Sequence, residues 1–286
     1  TGLVPDIYEA LDIVSRELVG MVPAVSINAS AATAALNQNI RVDVEPEGNL
    51  VDITPSMQVP DPTGQTSGFV DIQITNSKAA EFGFVGEDQL GLNSGPGYPN
   101  VRAQKIAQAI RKVTNAVELD LCNLYKTMSR ASGTAGTTPF NTINDFTAAS
   151  FARKILKDNG GDIDPQLVIN TAAGATMLGK QSAVDSAGTD TLLRQGVLQD
   201  ISGMPLRESA QIQTPAIGDS DGNFTSAATG FAVGTTSIPL ITGADEILSG
   251  DVITFAGDAN QYVVTTGIDG PGTIVLAAPG LRQALP

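Results

Sequence analysis

The stretch "PNVRAQKIAQAIRKVTNAVELDLCNLYKTMSR", residues 99–130, decides the fold class. Apolar residues recur in it at spacings of three or four, the period of an α-helix that buries one face. No Gly or Pro follows Pro99 until Gly133, so we predict one long helix from about Pro99 to Arg130. The apolar stripe consists of Ile106, Ile110, Val113, Val117, Leu121, Leu124 and Met128.

The other face of this predicted helix is basic. Only Glu118 and Asp120 oppose its positive charges there. A solvated helix surface explains such a face, and so does a surface turned toward an acidic partner or nucleic acid. The basic residues are Arg102, Lys105, Arg111 and Lys112, followed by Lys126 and Arg130.

Composition excludes several classes of function. The 286 residues include no His, which removes Ser-His-Asp and Cys-His catalysis and every His-ligated metal site. A formal net charge of -14 argues against a general nucleic-acid binder, because phosphate neutralisation needs clustered Lys and Arg. Cys122 is the single cysteine and has no intramolecular disulfide partner, which fits a reducing cytoplasm. No charged-then-apolar leader and no run of about 18 apolar residues is visible, so we expect neither secretion nor a membrane span.

The segment before the long helix combines a helix, an arm and a hairpin. Residues 5–25 predict an amphipathic helix that ends near Gly20 and Pro23, and residues 26–39 an extended arm. From Ile40 to Thr75 the apolar period changes to two, which predicts two half-buried strands around a long, Pro- and Gly-rich tip. An isolated hairpin is marginal in water, so its apolar face should lie on another surface, within the chain or on a neighbour. The candidate interface residues are Val42, Val44, Ile53, Val70, Ile72 and Ile74.

The segment after the long helix divides into an α+β body and a β-rich end. A helix in residues 144–161, a buried strand "PQLVIN" and a small-residue helix or turn "TAAGATMLGKQS" predict the body. From about Asn223, short β-like runs alternate with turns, including the hairpin "SGDVITFAGDANQYVVTTG" at 249–267. They predict a small antiparallel barrel or sandwich, and the whole chain is therefore of the α+β class.

No local motif supports chemistry. "DSDGNF" at 219–224 begins like a calcium loop but lacks its Gly and its bidentate Glu. The Gly-rich pieces lack the endings of phosphate loops and dinucleotide fingerprints. Neighbouring carboxylates such as Glu45 with Glu47, or Asp185 with Asp190, leave an acid-base pair conceivable, although solvated loop charges explain them better. We predict no catalytic residue, no cofactor and no metal.

The order of these elements resembles the major capsid proteins of tailed phages with the Hong-Kong-97-like fold, and among them the short-tailed-phage coat proteins that carry an inserted β-barrel. The resemblance rests on "AQAIRKVTNAVELDL" (107–121), "LLRQGVLQDISGMPLRESAQI" (192–212) and "GTTSIPL…GDVITFAG" (234–257). It implies an N-terminal arm (1–39), an E-loop (40–95), a spine helix of the peripheral domain (96–135), an axial α+β domain (136–222) and an inserted-type β-module (223–286).

The resemblance further implies a structural protein and not an enzyme: a subunit that assembles in the host bacterial cytoplasm into the icosahedral shell around double-stranded DNA. Its partners would be many copies of itself, in hexamers and pentamers, with scaffolding, portal and cement proteins, no membrane, and weakly contacted DNA. In that family the chain returns from the module to finish the axial sheet, whereas this sequence ends at "GLRQALP". Either a further segment follows, or the module is terminal here.

Two other hypotheses belong to different classes. The first is a β-rich surface or tail-associated binding protein of the adhesin type, which would have little use for the long helix at 99–130. The second is a hydrolase that works through carboxylates alone, which would need a concave site drawing on several loops.

Overall fold

The computed structural model shows a mixed α+β chain in two compact units, Ser26–Gly83 and Thr1–Val25 with Phe84–Pro286. The N-terminal helix predicted at 5–25 lies outside the described residues up to Leu18. The structure describes residues 19–26, 36–45, 52, 68–83, 98–134, 136–141, 146–161, 164–181, 198, 200–219, 224–227 and 230–286.

The unit Ser26–Gly83 contains a two-stranded antiparallel ribbon. Strand β1 covers Asn39–Val44 and strand β2 covers Gly68–Gln73. Ile40 lies opposite Ile72 and Val42 opposite Val70, so the residues of the period-two pattern meet across the pair. The two predicted strands are thereby confirmed, while almost all of the residues between them, including the Pro- and Gly-rich tip, lie outside the described residues.

The long helix is shorter than the sequence predicts. Helix α1 runs over Tyr98–Cys122, and a 3₁₀ turn follows at Asn123–Thr127. Met128 is extended, and Arg130–Ala131 form strand β3, which pairs with Gln261 and Tyr262. The prediction of helix as far as Arg130 was wrong, because this distant strand pairing takes up the backbone that local periodicity assigned to the helix.

The α+β body follows the predicted order of helix, strand and helix. Helix α2 covers Thr147–Asp158, strand β4 Leu167–Asn170, helix α3 Thr171–Gln181 and strand β5 Leu206–Ser209. Strands β4 and β5 pair in parallel. Helix α3 begins directly after β4 because the Asn170 side chain accepts the Ala173 N–H at 2.8 Å, an N-cap contact. The body core consists of Phe140, Ala149, Ile169, Ala173, Met177 and Met204.

The β-module consists of short antiparallel strands. They are β6 (Thr225–Ser226), β7 (Ser237–Thr242), β8 (Glu246–Ile247), β9 (Val252–Thr254), β10 (Gln261–Thr266), β11 (Ile268–Asp269) and β12 (Gly272–Leu276). The main sheet has the order β3-β10-β12-β7-β6, with β9 also on β10, while β8 pairs with β11. The module core consists of Ile238, Leu240, Ile247, Tyr262, Val264, Ile274, Leu276, Leu281 and Leu285.

The predicted hairpin at 249–267 is confirmed as β9 and β10, with Tyr262 opposite Ile253. Strand β10 has strands paired on both of its edges, and its consecutive residues Tyr262, Val263 and Val264 are all buried. It also pairs with β3, which lies outside residues 223–286. The module sheet is therefore completed by a strand that directly follows the α1 region.

Candidate assembly interface

One face of the ribbon is apolar and exposed. Residues that lie opposite each other in an antiparallel pair share a face, so the register collects Ile40, Val42, Val44, Val70 and Ile72 on one side, here called the ribbon face. Val44, Val70 and Ile72 are 47%, 53% and 52% exposed. Single exposed apolar residues are common, but a contiguous apolar strand face indicates a contact surface.

The opposite face of the ribbon is polar and internally paired. The Arg41 Nε donates to Asp71 Oδ1 at 3.2 Å, and the Arg41 guanidinium lies 3.6 Å from the centre of the Phe69 ring. Both contacts join the two strands on the same side. The Arg41–Asp71 ion pair and the Arg41–Phe69 cation–π contact thus stabilise this face without a partner, although the Phe69 ring is itself 54% exposed. The ribbon face has no such contact among its described residues.

Two further predicted interface residues, Ile53 and Ile74, are not part of strands β1 and β2. Ile74 is half-buried, its N–H donates to the Gln38 carbonyl at 3.2 Å and its carbonyl accepts the Asn37 N–H at 2.9 Å, which extends the ladder by one step. Ile53 lies outside the described residues. The assignment of these six residues to an assembly interface stays a prediction.

The basic residues predicted on α1 do not form one continuous face with those that follow. Lys105 and Arg111 are half-buried and Lys112 is exposed. The Arg102 backbone lies in α1, and its side chain is outside the described part. Lys126 lies in the 3₁₀ turn. Arg130 is buried in β3, so its placement on a basic helix face was wrong.

Arg130 joins three segments instead. Its Nη1 donates to Asn260 Oδ1 at 3.1 Å, and its Nη2 donates to Asp158 Oδ2 at 3.2 Å and to the Ile155 carbonyl at 3.4 Å. The Arg130 hydrogen bond and charge, with Lys154, hold the pKa of Asp158 below its usual range. The side chain therefore connects α2 of the body to the β9–β10 turn of the β-module.

Glu118 is the second residue whose role sequence reasoning missed. It is 0% exposed, and its Oε1 accepts the N–H groups of Gly20 and Met21 at 2.8 and 2.7 Å while Oε2 accepts that of Val22 at 2.9 Å. Burial by itself raises the pKa of Glu118, but these hydrogen bonds and one from the Ser209 hydroxyl outweigh it and lower the pKa below the usual value. The available signal was an acidic residue, one of two in α1, directly after Val117 of the apolar stripe.

Asp258 is a third paired carboxylate, at the turn between β9 and β10. The Tyr262 hydroxyl donates to its Oδ2 at 2.6 Å, and the Asn260 N–H donates to its Oδ1 at 2.9 Å. Burial raises the pKa of Asp258, yet the Tyr262 and Asn260 hydrogen bonds outweigh it and the pKa is lowered. Burial, with the hydrogen bond to Asp258, raises the pKa of Tyr262. Asp258 and Glu118 are therefore stable anions held for structure, the reverse of a carboxyl tuned as a general acid.

Two other kinds of site have no counterpart among the described residues. These residues include no group of three or more Cys, Asp or Glu placed to hold a metal ion, and no helix among them has the length and apolar character needed to cross a membrane. Asp219 of the calcium-like stretch accepts the Glu246 N–H at 3.0 Å. Of the carboxylates considered for an acid-base pair, Glu47, Asp185 and Asp190 lie outside the described residues.

No protein-family model matches the chain, and a search of curated proteins found no match. Seven chains of solved structures match it. One of them is from Mycobacterium phage Che8, with a TM-score of 0.55 and 13% identity over 92% of this chain and 89% of that chain. At this identity the likeness shows the fold alone: the mixed α+β arrangement described above also occurs, over nearly the whole length of both chains, in a protein of a mycobacteriophage.

Proposed function

We propose that this chain is the major capsid protein of a tailed bacteriophage, a subunit that assembles into the icosahedral shell around the double-stranded DNA genome. The observation that carries the proposal is the fold shared with the phage chain over 92% of this one and 89% of the other. On this proposal α1 is the spine helix, the ribbon is the E-loop, and the fold is of the Hong-Kong-97-like type.

The ribbon face supplies the physical basis for assembly. An exposed apolar strip on a two-stranded ribbon gains stability when a neighbouring copy covers it. Each contact in a shell needs only the area of a standard protein interface, roughly 1,600 Å², because closure of the lattice combines many such contacts. Subunits would form hexamers and pentamers, with scaffolding, portal and cement proteins as further partners.

The charge of the chain limits its contact with the genome. At a formal net charge of -14 the subunit repels DNA overall, so we expect weak, non-specific contact through Arg102, Lys105, Arg111 and Lys112. The same residues would serve equally to contact an acidic stretch of the next subunit. The shell would assemble in the host bacterial cytoplasm and remain in the virion.

The proposal is tested by sedimentation velocity and negative-stain electron microscopy of the purified chain, alone and with a candidate scaffolding protein from the same phage genome. Closed shells tens of nanometres across support it. A strictly monomeric chain under both conditions contradicts it and favours a ligand-binding role for the β-module, which a glycan and protein binding screen would then address.

A further inference from the structure

The segment 19–25 is held to the body by polar contacts and by partial packing, since Gly20 is buried and Val19, Met21, Val22 and Ala24 are half-buried. No side chain of its 3₁₀ turn, Val22–Ala24, is buried, and Val25 is 39% exposed. Neither the body core nor the module core includes a residue of this segment. Its polar attachment is the row of three consecutive N–H groups that converge on the buried Glu118 carboxylate.

The backbone at Gly20 shows how closely the segment fits. A Cβ at this position would lie 2.6 Å from the Glu208 carbonyl oxygen and 2.7 Å from Val168 Cγ1. Only a residue without a side chain fits between β4, β5 and the carboxylate. The Ser209 hydroxyl of β5 also lowers the pKa of Glu118, so the carboxylate of α1 lies beside both the segment and the parallel strand pair.

We propose that Glu118 is a latch: it fixes residues 19–25 on the body, and loss of its charge releases them while both cores stay folded. Hydrogen bonds to an ionised acceptor are about twice as strong as neutral ones, and here three of them hold a segment whose 3₁₀ turn has no fully buried side chain. Glu118 acts as a positioning residue in this role.

The chemistry of the latch requires a carboxylate. Oε1 accepts two N–H groups and Oε2 accepts the third, so both oxygens must be acceptors. Glu118→Gln keeps the shape but turns one acceptor into an NH₂ donor that faces a backbone donor. Glu118→Asp keeps the charge and loses one methylene of reach. We expect attachment to weaken in the order Glu, Asp, Gln.

The test is amide hydrogen exchange, measured by NMR or mass spectrometry on the unassembled full chain at neutral pH. In Glu118→Gln the amides of Gly20, Met21 and Val22 should exchange about 10- to 100-fold faster than in the parent chain. The Val264 amide, which donates to the Asp251 carbonyl at 2.9 Å in the module, should be unchanged. Glu81→Gln is the matched control, since it removes the same charge at an exposed position.

Equal protection of the three amides in the parent and Gln chains overturns the proposal. If the amides of Glu118→Gln exchange fast along the whole chain, that variant is unfolded, and Glu118→Asp and the parent chain provide the test. Faster exchange confined to residues 20–22 in Glu118→Asp supports the latch. Amides 20–22 of the parent chain that exchange as fast as those of an unstructured peptide refute it. The measurement uses single subunits, so its result does not depend on whether shells form.

Discussion

Ile72→Asp is expected to abolish assembly while leaving the subunit folded. Ile72 is 52% exposed on the ribbon face, opposite Ile40. Full burial of an Ile side chain is worth about 1.5–3 kcal/mol, so a neighbour that covers the exposed half gains about 0.8–1.5 kcal/mol at each contact. An Asp at this position loses that gain and adds a desolvation cost of several kcal/mol. Because about 1.4 kcal/mol is a factor of ten, the critical concentration for assembly should rise at least 100-fold.

The assay is light scattering across a range of subunit concentrations, with urea denaturation to check the fold. Removing the Ile40–Ile72 contact should lower the free energy of unfolding by less than about 1 kcal/mol. Gln73→Asp is the matched control, because it places the same charge on the polar face one residue along β2. Assembly of Ile72→Asp at the parent concentration, with Gln73→Asp also unaffected, would refute the role of the ribbon face.

Three further predictions concern the polar contacts inside the larger unit. Tyr262→Phe should lower the free energy of unfolding by about 2–4 kcal/mol in urea denaturation, since it removes the buried hydrogen bond to Asp258 and the acceptor of the Arg282 N–H. A loss under about 0.5 kcal/mol would contradict the role given to these two hydrogen bonds. Arg130→Met should lower the free energy of unfolding by about 1–3 kcal/mol, because Arg130 is buried and Asn260 Oδ1 and the Ile155 carbonyl lose their donor. Hydrogen exchange should then show faster opening of the β9–β10 turn, and unchanged exchange there would speak against the link. The folded pKa of Glu118 lies below its usual 4.5, so the stability that its charge contributes is present above pH 4.5 and is lost as the pH falls through the folded pKa. The difference in the free energy of unfolding between the parent and Glu118→Gln should therefore be constant near neutrality and shrink in acid. A difference that grows in acid would refute the assignment.

Local sequence patterns predicted the elements whose stabilising contacts are near in sequence or repeat at a fixed period. The alternation at Ile40–Val44 and Val70–Ile74 predicted both ribbon strands, because period two directly reflects a strand with two unlike faces. The hairpin of β9 and β10 was predictable for the same reason, with turn residues between its strands.

The features that the sequence alone could not show depend on contacts between distant residues. Helical periodicity continues past Cys122, yet Arg130 pairs with a strand and bonds Asn260, 130 residues away. Glu118 looks like one more surface charge of a basic helix until the structure places Gly20, 98 residues earlier, against it. A one-dimensional pattern contains no information on which polar group meets which, so both residues were placed on the basic face of the predicted helix.

The most direct test of the capsid proposal is a cryo-electron microscopy reconstruction of the particles formed by the purified chain. The account predicts a closed icosahedral lattice built of this chain, with the face of Val44, Val70 and Ile72 covered by a neighbouring copy. Particles in which that face remains open to solvent, or a chain that only decorates a shell built by another protein, would contradict it.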